Sequence, residues 1–125
     1  MKFKHLLASA SIIALAGCAS VPAPPADTRV TIAENLGNSL YVADVRLATP
    51  PGGFPVFQAN VVNNRHSELW IEYKVLWLDE GGIAIDTLAS TWQKTAIAPN
   101  DIKPLKAVAT SRNAADMRFY VRKMQ

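Results

Sequence analysis

The sequence predicts an all-β domain, an antiparallel, immunoglobulin-like β-sandwich of seven to eight short strands, with a small barrel as the alternative. Apolar and polar residues alternate with a period of two from residue 29 onward. Turn-forming residues interrupt this alternation roughly every eight to twelve residues, and no long segment has helical periodicity. The Cys…Trp…Cys pattern of antibody domains is absent, since Cys18 is the single cysteine.

The clearest strand signal runs from Leu69 to Leu78. Alternate residues of this segment make an unbroken apolar face: Leu69, Ile71, Tyr73, Val75 and Trp77. The opposite face is mixed, and on it we expect Glu72 to be an exposed cross-strand partner. A turn at 79–82 is then predicted to close a hairpin that returns at Ile83, because one turn position needs a positive φ, which glycine adopts without steric cost.

Two earlier segments also alternate. Leu40 to Ala48 is predicted to place Asp44 and Arg46 on one face and four residues on the other: Tyr41, Ala43, Val45 and Leu47. Pro55 to Asn64 is predicted to turn three residues to one side: Phe57, Ala59 and Val61. The segment 49–53 between them is predicted to be a loop, and 63–67 a polar turn.

Weaker strands are expected near the C-terminal end, at 91–97 and 105–110, with a turn at 99–101 and a short helical turn at 112–116. The last strand, Met117 to Lys123, is predicted to turn Met117, Phe119 and Val121 inward. Its outward residues are then Arg118, Tyr120 and Arg122.

Residues 1–17 have the pattern of a bacterial secretion signal. Two lysines precede an uncharged run, residues 6–16, that is shorter than the roughly 20 residues of a membrane-spanning helix. The run ends in a motif that resembles the bacterial lipobox: Leu15, Ala16, Gly17 and Cys18. We therefore expect cleavage before Cys18 and a lipid on its thiol. Ala19, in place of aspartate, resembles the sorting pattern for the periplasmic face of the outer membrane.

Residues 18–28 are predicted to be the lipidated cysteine and a flexible tether, and 29–125 a single domain. Prolines at 22, 24 and 25 favour an extended tether of about 3 Å per residue. After cleavage the chain has eleven Lys and Arg against ten Asp and Glu, and the basic residues are dispersed. Nucleic acid is therefore not expected as a partner, since its binding needs a clustered basic surface.

Few residues are suited to catalysis or metal binding. After cleavage His66 is the single histidine and lies in a polar turn, so a zinc site of Cys and His within one chain is excluded. Asp79 and Glu80 lie in a turn that lacks the further oxygen ligands of a calcium loop. We expect no enzymatic activity, no cofactor and no metal. A hydrolase that uses surface carboxylates stays open, because sequence spacing does not show separation in space.

A resemblance to a known family rests mainly on one hairpin. Residues 73–82, YKVLWLDEGG, match the YxxxWxDxxG hairpin of small YcfL-like bacterial lipoproteins, which share the order of lipobox, linker and domain. The similarity covers most of 40–123, and Trp92, Leu105 and the closing segment 118–121 also fit. The resemblance implies a periplasm-facing β-sandwich of uncharacterised function, an accessory of the envelope without catalytic residues.

Exposed aromatic residues beside arginine are typical of protein interfaces. The candidate interaction surface is therefore Trp70, Arg118, Tyr120 and Arg122. A covering sheet or loop over this face is the alternative. We expect a protein held on the membrane by the lipid on Cys18, which binds an envelope protein through a sheet face or an edge strand. Recognition of peptidoglycan or another glycan by aromatic side chains is a second possible role.

Overall fold

The computed structural model describes residues 27–85 and 90–125. These residues form eight β-strands and one 3-10 helix in the order β1 Val30–Ile32, helix Glu34–Ser39, β2 Leu40–Ala48, β3 Val56–Asn63, β4 Leu69–Leu78, β5 Ala84–Ile85, β6 Gln93–Ile97, β7 Ile102–Val108 and β8 Asp116–Lys123. Leu15, Ala16, Gly17 and Cys18 lie outside the described residues, so the signal, its cleavage and the lipid stay predictions.

The strands form two sheets. In the larger sheet, β4 pairs with β8 on one side, while β6 and β5 share its other side. Strand β1 adds to β8 in parallel, and every other pairing between described strands is antiparallel. The smaller sheet has the order β2-β3-β7. The predicted antiparallel β-sandwich is therefore confirmed.

The core lies between the inner faces of the two sheets. The ring centroids of Phe57 from the smaller sheet and Phe119 from the larger sheet are 4.9 Å apart, with the rings tilted by 42°. Trp77 is 2% exposed. The inward residues predicted for β3 and β8 are all buried, as are those of β4 except the half-buried Tyr73. Alternation therefore predicted these three faces correctly.

The face predicted for β2 is wrong over the first half of the strand. Asp44 has a φ of 53°, and the pairing with β3 shifts between Ala43 and Arg46, where one extra residue in β2 makes a β-bulge. An extra residue reverses the side to which the following side chains point. The residues that pack into or against the core are therefore Leu40, Val42, Val45 and Leu47. Tyr41 and Ala43, predicted to share a face with Val45 and Leu47, do not.

Three short elements also differ from expectation. Strand β1 and the 3-10 helix were not predicted, because the strand has only three residues and the helix contains Gly37 at a φ of 51°. The predicted helical turn at 112–116 is wrong. Instead, Ala114 N–H donates to Ser111 O at 3.3 Å in a tight turn, and β8 already begins at Asp116.

A buried asparagine joins the two sheets at one end. Asn63, at the end of β3, is 1% exposed. Its Nδ2 lies 2.9, 3.0 and 3.1 Å from the carbonyl oxygens of Ser67, Ile97 and Ala98, among which its two N–H groups are shared, and its Oδ1 accepts from Arg65 N–H at 2.9 Å. Since Ile97 ends β6, this one amide connects the smaller sheet to the larger sheet.

Candidate interaction surface

The outer face of the larger sheet is built from alternate residues of β4, β6 and β8. The intervening side chains are buried in the core, so these residues point away from it. The register of β4 and β8 places Lys74 opposite Tyr120, and Leu76 opposite Arg118. All four residues of the predicted surface lie on this outer face: Trp70, Arg118, Tyr120 and Arg122.

Two cations and two aromatic rings form a cluster at the centre of the outer face: Lys74, Trp92, Tyr120 and Arg122, here named the cationic–aromatic patch. Lys74 Nζ lies 5.0 Å from the ring centroid of Trp92 and 5.3 Å from that of Tyr120. Arg122 Cζ lies 3.7 Å from the Trp92 centroid, so the guanidinium covers one side of the indole. Rings attract cations within about 6 Å. The aromatic side chains therefore hold both charges in place at the surface.

An ion pair fixes the guanidinium of the patch. Arg122 Nη2 donates to Glu72 Oε2 at 3.0 Å, and Gln125 N–H donates to Glu72 Oε1 at 3.3 Å. The bond from Arg122, followed by that from Gln125, lowers the pKa of the Glu72 carboxyl below its ordinary value. Glu72 is therefore held as an anion, neutralised by Arg122.

Glu72 was expected to be exposed and is not. The predicted cross-strand role is correct, since Glu72 pairs with both Lys94 and Arg122. However, the residue is only 7% exposed. It lies on the outer face, so its cover is a thin layer of neighbouring side chains and C-terminal backbone, and not the core.

The two remaining predicted residues lie towards opposite ends of the outer face. Trp70 is 47% exposed, and its Nε1–H donates to Glu68 Oε1 at 2.7 Å. Arg118 Nη1 donates to Asp116 Oδ2 at 2.9 Å, and this bond is the main cause of the lowered pKa of Asp116. The structure thus brings Tyr120 and Arg122 together and leaves Trp70 and Arg118 at the margins.

Lys74 and Trp92 were not predicted as part of the candidate surface. Strand β6 places Ile97 in the core, so the alternate positions 96, 94 and 92 lie on the outer face, and Trp92 is one of them. The register that pairs Gln93 with Tyr73 then carries Trp92 to the level of Lys74. The alternation in 92–97 could have placed Trp92 on the outer face, but the sequence does not show the register between β4 and β6 that brings it beside Lys74.

Three of the edge strands, β7, β6 and β2, carry features that oppose pairing with another strand. Strand β7 contains Pro104, which has no N–H to donate, and the exposed Lys106. On β6, the carbonyl of Ala96 accepts a hydrogen bond of 3.1 Å from Lys103 Nζ. Strand β2 is interrupted by its bulge at Asp44. The outer face is thus more accessible to a partner than these edges.

A polar groove of about 400 Å³ lies at one end of the sandwich, between the turn after β4 and residues 112–115. Asp79 Oδ1 accepts from the N–H groups of Gly81 and Ile83, each at 2.9 Å, and so stabilises the turn. Arg112 lies 5.2 Å from the ring of Phe54. The groove is open, and its polar side chains largely support the surrounding loops.

The described residues contain no cluster of three or more His, Cys, Asp or Glu that could hold a metal ion. His66 is exposed, and its Nδ1 lies 3.0 Å from Asn100 Nδ2 in a loop contact. Within 27–85 and 90–125, no helix has the length and hydropathy needed to cross a bilayer.

Comparison with known proteins gives a family. The family model described as "Protein of unknown function (DUF1425)" matches residues 27–123. The chain belongs to this family.

Two solved structures have a similar fold. The protein in the crystal structure of Campylobacter jejuni cj0090 is 24% identical in sequence, with a TM-score of 0.64 over 78% of this chain and 100% of its own. A DUF1425 family member from Shewanella sp. pv-4 is 17% identical, with a TM-score of 0.63 over 69% of this chain and 79% of its own. No curated protein matches the chain. At these identities the two solved structures support the fold alone.

Proposed function

We propose that this DUF1425 protein is a YcfL-like lipoprotein, anchored by a lipid on Cys18 at the periplasmic face of the outer membrane, that binds an envelope protein through its outer face. In this role it is an accessory protein without catalytic activity, cofactor or metal. The cationic–aromatic patch carries the proposal, because aromatic and arginine side chains clustered at a surface are characteristic of protein interfaces.

The anchor is supported by the order of features at the N-terminus. A basic segment, an apolar run and the lipobox-like Leu15–Cys18 follow one another in the spacing that a lipoprotein signal requires. Each buried acyl methylene contributes about 0.8 kcal/mol, so two or three chains hold a protein on the membrane almost permanently. The tether that follows the lipid then leads to β1.

The face is preferred to an edge strand as the binding surface. Pairing with a partner strand requires a row of free N–H and C=O groups. Pro104, the Lys103 side chain and the bulge at Asp44 each interrupt such a row on β7, β6 and β2. Binding through the outer face does not need such a row, and the face is open at Trp70, which is 47% exposed.

A protein partner is preferred to a glycan. Stacking on a sugar needs an open ring face, whereas the guanidinium of Arg122, at 3.7 Å, occupies one face of Trp92. Lys74 lies within 5.3 Å of the Tyr120 centroid. Charged groups that lie over both rings suit a partner with polar and ionic side chains better than they suit an uncharged sugar.

A hydrolase is supported less well. Such an enzyme needs convergent carboxylates in a concave site. The groove at the end of the sandwich contains Asp79 and Glu80, but Asp79 Oδ1 already accepts two backbone hydrogen bonds of its own turn.

The proposal is tested by photo-crosslinking in cells from the full-length chain. A photoreactive residue is placed at Trp70 or at Tyr120 on the outer face, and as a matched control at Gln58, which is exposed on the smaller sheet. We expect one discrete protein adduct from both outer-face positions and not from the control. Adducts that are equal at all three positions, or that contain only abundant proteins in proportion to their amounts, would contradict a partner on this face.

The anchor is tested separately. Wild type should be recovered without residues 1–17 and with the mass of acyl groups on its first residue, while Cys18→Ala should stay uncleaved or lose the acyl mass. Mass spectrometry of both proteins from the membrane fraction decides the matter. A wild-type protein that keeps its first seventeen residues, or that carries no acyl group, would refute the anchor and leave the crosslinking result unaffected.

A further inference from the structure

We infer that the partner presents an acidic protein segment to the cationic–aromatic patch, with a carboxylate of that segment beside Lys74. This inference rests on the proposed function and names the chemistry of the partner.

The charge balance of the outer face is the first reason. Its two strand carboxylates are already paired, Glu72 with Arg122 at 3.0 Å and Asp116 with Arg118 at 2.9 Å. Among the described residues, Lys74 forms no ion pair. Lys94, across from Glu72, adds a further positive charge. Counted over the described residues, the centre of the face therefore has an excess of positive charge, although the chain after Cys18 is near neutral.

The placement of Lys74 is the second reason. A lysine on an open surface samples many rotamers, and binding must restrict them at a cost in conformational entropy. Here the ammonium is positioned by two rings, Trp92 at 5.0 Å and Tyr120 at 5.3 Å. The residue is half-buried, so part of this ordering has already occurred in the free protein. A carboxylate can therefore meet a charge that is already in position.

Arg122 is the third reason. Its Nη2 donates to Glu72 and its buried Nε is closed to a partner, but the side chain is 34% exposed, so the rest of the guanidinium is open at the surface. A guanidinium has five N–H donors, so this side chain keeps unused hydrogen-bonding capacity beside Lys74. An acidic segment that approaches the patch gains these donors as well as the ammonium.

An acidic protein suits the face better than an anionic lipid surface does. The positive charges are interleaved with Glu72, Asp116 and, beside Trp70, Glu68, and a uniform layer of lipid phosphate would meet these carboxylates as like charges. A folded or extended protein segment can place its own charges to match the pattern. The predicted proline-containing tether also favours a domain held away from the lipid surface.

The test uses the full-length chain in cells with the photoreactive residue at position 70. Lys74→Glu reverses the charge at the centre of the patch. Lys106→Glu makes the same charge change on the exposed side of β7 in the smaller sheet and is the matched control. Lys74→Met keeps the aliphatic stem on the two rings and removes only the charge.

We expect Lys74→Glu to lower the yield of the protein adduct by about fivefold or more, since it replaces attraction with like-charge repulsion. Lys74→Met should give a smaller loss, and Lys106→Glu should leave the yield unchanged. Peptide mapping of the adduct should place the crosslink within a segment of the partner rich in Asp and Glu. Thermal unfolding of each purified full-length variant, within a few degrees of wild type, excludes misfolding as the cause.

The failures of the two proposals are distinguishable. An adduct of wild type that is equally strong with Lys74→Glu and Lys106→Glu would overturn the acidic-partner inference and leave the interface in place. The same holds for an adduct that maps to a basic or uncharged segment. Adducts with phospholipid in place of protein would overturn it in favour of a membrane contact. No discrete adduct from wild type would refute the proposed function itself.

Discussion

Replacement of Asn63 by alanine should destabilise the fold more than replacement of almost any other polar residue. The side chain is 1% exposed; its two amide N–H groups are shared among the carbonyl oxygens of Ser67, Ile97 and Ala98, and its Oδ1 accepts from the N–H of Arg65. Each bond contributes about 0.5–1.5 kcal/mol net, and a buried carbonyl left without a donor costs about 1–3 kcal/mol. We therefore expect Asn63→Ala to lower the free energy of unfolding by about 3 kcal/mol.

The adjacent residue provides the control. Asn64 is exposed, and its Nδ2 reaches Asn38 O only at 3.5 Å, so Asn64→Ala should cost less than about 0.5 kcal/mol. Urea unfolding followed by circular dichroism measures both variants, and a loss of 3 kcal/mol corresponds to a Tm lower by about 12–24 °C in a domain of this size. If Asn63→Ala unfolds like Asn64→Ala, the amide does not hold the two sheets together and the reasoning is wrong.

The remaining predictions concern a turn, an ion pair and a histidine. Gly82 has a φ of 78°, so Gly82→Ala should lower the free energy of unfolding by about 1 kcal/mol in urea titrations. Gly81 has no positive φ, so Gly81→Ala should cost clearly less, and equal losses would contradict the role of the backbone angle. The hydrogen bond from Arg29 lowers the pKa of Asp27 to about 2, so this pair stabilises the fold above about pH 4 and its contribution is lost as the pH falls through 2. Asp27→Asn should therefore cost less than about 1 kcal/mol at pH 7, because the pair is partly exposed to solvent. The cost should shrink as the pH falls through 2 and vanish below it, and a cost that grows as the pH falls would refute this account. His66→Ala should leave the crosslinked adduct and any envelope phenotype intact, and complete loss of either would show that this histidine has a functional role.

Period-two alternation predicted the faces of β3, β4 and β8 because each of these strands lies between two neighbours and packs one side on the core. Alternation failed in β2, because the bulge at Asp44 reverses the side to which the later side chains point. The bulge leaves no mark in the sequence, since polar and apolar residues alternate on both sides of it. Alternation also missed β1, whose three residues are too few to establish a period. The sequence placed Asn63 in a polar turn and did not predict its burial. An amide is buried where distant carbonyls such as that of Ile97 accept its hydrogen bonds, and the local sequence does not show them.

The candidate surface was predictable to a similar extent. Alternation alone placed Arg118, Tyr120 and Arg122 on one side of β8, and the structure has them there. The cluster with Lys74 and Trp92 depends on the register of β4 with β6 and β8, and alternation within one strand does not determine the register between strands. The separation of Trp70 from the patch has the same origin.

Strand β1 determines how mechanical load would enter this protein. It is the first strand of the described residues, and within them it pairs with β8 at three positions, from Val30 opposite Phe119 to Ile32 opposite Val121. A pull on the N-terminal chain therefore reaches the sandwich through these few parallel contacts before it reaches the ten-residue β4. The strand that receives this tension borders β8, which carries Tyr120 and Arg122, so stretching of the predicted tether and binding of a partner to the patch would act on neighbouring strands.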